Sequence, residues 1–204
     1  MFFSSSTHKW AVLKQHIPIT VKRISNIRWS AKYDAVEAQH SHLQEVIEAL
    51  EAMRDGVSEN METSGDAGSI LINILCYNFL SYLFFWSSVL KEVNDSQKYL
   101  QTSGLSLDTR AVKLEALSAF LFHERDNLVS HADEAGSEVC VEMDIRTEHR
   151  VRCRRTMTEE QAVDSGLLLK EGIRIQQVEI VDRLLEEIDT RSRQVQNLQK
   201  RFLL

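Results

Sequence analysis

Apolar residues recur every three or four positions along most of this chain, a spacing that predicts helices rather than strands. Near the amino end Trp10, Leu13 and Ile17 obey it, Ser4, Ser5 and Ser6 offer capping hydroxyls, and Pro18 closes the helix. The short β-branched run ITVKRI, residues 19 to 24, reads as an extended connector or a brief edge strand. From Trp29 onward the pattern is cleanest. Tyr33, Val36, His40, Leu43, Ile47 and Leu50 form one stripe and Glu37, Gln44, Glu48 and Glu51 face away, as one long amphipathic helix would have them. RDGVSENMETSGDAG, residues 54 to 68, sets three glycines among small polar residues and predicts a loop.

Residues 67 to 90 contain no charged side chain, and their length would cross a bilayer. Asn73, Asn78, Ser69, Ser81, Ser87 and Ser88 interrupt them, however, and the sequence continues amphipathically as KEVNDSQKYLQ. The expectation is a central helix over 67 to 101, buried in a bundle, with no membrane span. Gly104 ends it, and Ser106 or Asp108 caps a fourth helix with Val112, Leu117, Phe120, Leu121 and Leu128 at core spacing, stopping near ADEAGSE. Residues 138 to 160 hold no steady period and crowd Arg146, Arg150, Arg152, Arg154 and Arg155 together, which predicts an exposed basic linker. In the last helix Val178, Val181, Leu185, Ile188, Val195 and Phe202 make a stripe that a partner helix could cover. The predicted architecture is an all-α helical bundle in one domain, 1–204. It comprises a basic N-terminal helix and connector (1–28), a helical core (29–135), the basic linker (138–160) and a long C-terminal helix (161–204).

Composition supports helices and adds an electrical asymmetry. A single proline and seven glycines in 204 residues leave too few turn-formers for a strand-rich fold. The formal charge is −6, yet residues 1 to 33 hold six lysines and arginines and no acid, so the rest stands at −12. A basic end on an acidic body suits nucleic-acid contact, although a cluster of this size is more often a solvated face. Cys76, Cys140 and Cys153 lie far apart without paired spacing, which fits a reducing compartment, and MFFSSSTHKW has no signal-peptide run. A nuclear or cytoplasmic location is expected.

Little in the sequence points to catalysis. No glycine falls in a dinucleotide or P-loop spacing. His123 and Asp126 lie one helical turn apart without a third ligand, and His40 and His42 cannot share a helix face. Asp66, Glu92, Asp95, Asp133 and Asp144 are scattered. No catalytic residue, metal ligand or cofactor is therefore assigned. Arg28 and Trp29 are the informative pair. Trp29 can bury its ring at a helix start beneath a snorkelling Arg28. Alternatively the indole stacks on an unpaired base while the guanidinium grips phosphate, helped by Lys22, Arg23 and Lys32.

Three stretches, FFSSSTHKWAVLKQH, VKRISNIRWSAKYDAVEA and FWSSVLKEVNDSQKYLQTSGLSLDT, resemble the middle of transposases of the hAT (hobo, Ac, Tam3) superfamily, as in relatives among zinc finger MYM-type proteins. The likeness runs from residue 2 to about 130 and more loosely beyond. It implies the all-helical insertion that such enzymes carry inside a ribonuclease-H-like core. It also implies that Arg28 and Trp29 sit where active relatives hold a DNA end. Ser25, Asn26 and Ile27 depart from the family's Ser-Asp-Thr before that pair, removing an acid and a hydroxyl. By the same resemblance, the catalytic aspartates and a Cys-x-x-His element would precede Met1 and the last glutamate would follow Leu204. The family's dimerisation segment and zinc-finger spacing are missing. The expected protein is a catalytically inactive, transposase-derived remnant with weak DNA binding; the rival expectations are a helical protein-interaction module and a functionless fragment of a decayed element.

Overall fold

The computed structural model describes residues 2–17, 29–57, 59–147 and 169–202. All regular structure among them is helical. A short 3-10 turn, Phe3–Ser5, precedes α1 (Thr7–His16), α2 (Trp29–Ser41), α3 (Leu43–Asp55), α4 (Met61–Ile74), α5 (Tyr77–Leu100), α6 (Leu107–Glu142) and α7 (Leu169–Phe202). Where the sequence suggests one domain, contacts divide the chain into two compact units, Met1–Gly104 and Leu105–Leu204.

In the first unit the Ser6 side chain accepts a hydrogen bond from the His8 amide and starts α1, which ends at Ile17 before Pro18. The predicted long helix from Trp29 is two helices broken at His42. Its halves have different partners: α2 packs along α5, whereas α3 packs on α1 and α4. One straight stripe cannot serve both directions, so the chain gives up helical geometry for a residue (His42, φ −130°, ψ 34°) and restarts with Glu45 Oε1 3.3 Å from the imidazole. Glu37, expected to face solvent, turns toward α5 and accepts a hydrogen bond from Ser87 Oγ at 3.1 Å.

The predicted loop over 54 to 68 is mostly α4. Asn60 caps it by accepting from the Thr63 amide at 2.6 Å, and Thr63, Ala67 and Leu71 are buried at four-residue spacing. A good cap and a buried stripe thus outweigh the roughly 1 kcal/mol that each internal glycine costs. The uncharged stretch is not one helix either. It breaks at Leu75 and Cys76, and α4 and α5 meet at 69°. Among the described residues no single helix is long and apolar enough to cross a membrane, although the bent α4–α5 pair reaches that length and composition together. Much of α5 is buried, including Tyr77, Leu80, Leu83, Phe85, Val89 and Leu90. Gly104 takes φ +84°, a left-handed conformation that glycine adopts without strain.

The second unit is an antiparallel hairpin of α6 and α7. Ser106, one of the two predicted caps, accepts from the Thr109 amide at 3.2 Å. The core stripe of α6 is Ala111, Leu114, Leu117, Leu121, Val129, Ala132 and Cys140; the expected core residues Val112 and Phe120 are 62% and 36% exposed. The helix does not stop at ADEAGSE but runs on through a buried Gly136 to Glu142, so the start of the expected linker is helical. On α7 the buried positions are Ile173, Gln177, Val181, Leu184, Ile188 and Ser192. Val181 and Ile188 of the predicted stripe are thus buried in a helix that packs on α6 of the same chain. Polar ties hold the register: Arg125 to Asp182 at 2.8 Å, Ser118 to Asp189 at 2.9 Å, Gln196 to Glu115 at 2.8 Å.

Candidate functional site

Two of the five predicted DNA-contacting residues are described, and the structure brings them together. Trp29 and Lys32 lie one turn apart on the first turn of α2, both half-buried, with Lys32 Nζ 4.6 Å from the centre of the indole ring. A cation at that distance is held by the ring's negative face. Lys22, Arg23 and Arg28 lie outside the described residues, as do Arg150, Arg152, Arg154 and Arg155 of the second basic patch; Arg146 is exposed.

Because α5 runs antiparallel to α2, its last turns come beside the start of α2. His40 meets Phe84 edge to face at 5.0 Å, Glu37 meets Ser87, and Lys98 Nζ lies 6.0 Å from the Tyr33 ring. Lys98 therefore lies by Tyr33, one turn along α2 from Trp29. Sequence reasoning missed it, since nothing in a local window pairs residue 98 with residue 33. The surroundings are mixed in sign. Burial, followed by the carboxylates of Glu37, Asp95 and Asp34, raises the Tyr33 phenol above its ordinary value.

Several of the remaining candidates make structural contacts. His40 is an interior-edge ring against Phe84, as its place in the apolar stripe suggests. Asp126 lies 3.7 Å from Arg125, Asp66 4.0 Å from Lys9, and Asp133 3.6 Å from Lys170. Among the described residues, no group of three or more histidines, cysteines or carboxylates could hold a metal ion. Cys76 and Cys140 are free thiols, the latter buried; Cys153 lies outside the described residues.

A second surface feature lies entirely within the α6–α7 hairpin. Glu115, Ser118, Ala119, Phe122 and His123 of α6 and Leu185, Glu186 and Asp189 of α7 line an open groove of about 480 Å³. His123, read from sequence as a solvated residue, stands there exposed, edge to face with Phe122 at 5.5 Å.

No protein-family model, curated protein or solved structure matches this chain.

Proposed function

We propose that this chain is a catalytically inactive, hAT-transposase-derived DNA-binding protein whose contact begins at the start of α2. The observation that carries the reading is the cation-capped indole: Trp29 and Lys32 stand together directly after a run of sequence with only basic charges. Trp29 offers a half-exposed face for one unpaired base. Lys32, with Lys22, Arg23 and Arg28, supplies the phosphate contacts, Arg28 in bidentate form. The sequence resemblance to hAT insertions supports the same assignment.

Binding of this kind is largely counterion release, so affinity falls steeply with salt. Fluorescence anisotropy with single-stranded and hairpin DNA at two salt concentrations tests it. The expected outcome is salt-sensitive binding, weakened about fivefold or more by Trp29→Ala, since stacking contributes about 1–3 kcal/mol per base. DNA should stay intact when the protein is incubated with it and Mg²⁺. Salt-independent binding, indifference to Trp29→Ala, or metal-dependent strand scission by the purified chain would each overturn the proposal.

A further inference from the structure

We infer that the groove on the α6–α7 hairpin is a docking site for a basic amphipathic helix of a partner protein. This surface is separate from the DNA contact proposed above and rests on different observations.

Phe122 is 63% exposed, and Val112, on the same face of α6, is 62% exposed. From Val112 the spacing to Glu115, Ala119 and Phe122 is three, four and three, so these residues form one ridge along the helix. Leu185 of α7 completes an apolar floor with Ala119 and Phe122. The α6 side of the groove, from Glu115 to His123, covers about 12 Å, enough for about two turns of a docked helix. Helix-in-groove recognition needs such a ridge, with apolar anchors spaced three or four residues apart on the ligand.

Charge selects the occupant. Glu115, Glu186 and Asp189 line the same groove. Glu115 accepts from Gln196 and Asp189 from Ser118, both neutral donors, and among the described residues neither lysine nor arginine pairs with these three carboxylates. An apolar floor with unneutralised acids favours a helix that brings lysine or arginine beside its anchor. It disfavours groove-to-groove pairing of two copies of this chain, which would set the same three acids against themselves.

The test uses the full chain and two synthetic amphipathic peptides of roughly four turns, each with a Leu-x-x-Phe-x-x-x-Leu face. One is flanked by lysines and the other by glutamates. Titration calorimetry should show the lysine peptide binding at least about tenfold more tightly, a difference set by charge. Phe122→Ser should weaken it about tenfold or more, as expected for an aromatic anchor. Glu186→Lys, which leaves Glu115 and Asp189 in the groove and adds one cation, should narrow the preference for the lysine peptide. Both positions lie at the surface, so circular dichroism should be unchanged. Failure of the lysine peptide to bind, equal binding of both peptides, or indifference to Phe122→Ser overturns the inference. So does Phe122-dependent self-association by light scattering, which would make a second copy the occupant. Trp29→Ala should leave peptide binding intact, so failure at one site is distinguishable from failure at the other.

Discussion

Asn94 sits in an environment at odds with its chemistry. It is 1% exposed on α5, and among the described residues neither its amide nitrogen nor its carbonyl oxygen has a hydrogen-bond partner. An unsatisfied buried amide costs about 1–3 kcal/mol, and an apolar replacement of similar shape removes that cost. Asn94→Leu should therefore raise the urea midpoint, by about 1 kcal/mol in stability after allowing for imperfect packing. A lower midpoint would mean that solvent or a neighbour satisfies the amide in solution. Trp29 shows what one sequence can and cannot disclose about a single side chain. An indole at a helix start beside cations was visible, and so were its two opposite uses. Its partner across the ring could only be found in three dimensions, because Lys32 and Arg28 both flank it in the sequence.

Helices α2 and α5 are joined by a face that mixes aromatic rings with charge, and this gives their pairing a pH dependence. Tyr33 has a raised phenol pKa through burial and through Glu37, Asp95 and Asp34. The folded chain then holds the phenolic proton more tightly than the unfolded chain. That contribution is fully present below the ordinary tyrosine value, near 10, and is lost as pH rises through the higher folded value. Thermal stability should decline across that alkaline window, and Tyr33→Phe should lessen the decline; phenolate absorbance followed against pH checks the assignment. In the α6–α7 hairpin, burial dominates charge. Leu121 is fully buried, so Leu121→Ala should cost about 2–5 kcal/mol. The Arg125–Asp182 pair is part-exposed and screened by water, and Arg125→Ala should cost far less. Urea unfolding of both variants decides the order. Helical periodicity was readable over most of the chain, as were the end of α1 before Pro18 and the Ser106 cap of α6, whereas other boundaries and several faces were not. The glycines at 65 and 68 argued against α4, yet Asn60 and a buried stripe won. The face of α6 was misread because Val112 and Phe120 look like core residues but lie off the line that meets α7.

For the molecule as a whole, the −6 net charge conceals a +6 amino-terminal stretch on a body of −12. Those two fields suit two different ligands. The basic stretch leads into the start of α2 in the first unit, and an acid-lined groove lies in the second. DNA affinity should fall with salt because phosphates dominate it. Affinity for a basic helix should fall less, since its anchor is apolar and hydrophobic contact is not screened by ions.

Periodicity, scarce proline and glycine, and the run of early cations determined on their own that the chain is helical and that one end is basic. Those properties are local, set by backbone propensity and composition within a turn or two. Tertiary structure alone decided that helices break at His42 and at Leu75–Cys76, that Val181 and Ile188 of α7 are buried where it packs on α6, that Lys98 lies beside Tyr33, and that Phe122 opens onto an acid-lined groove. Each depends on which distant segment supplies the facing surface, and that choice is made by packing, which no local window of sequence contains.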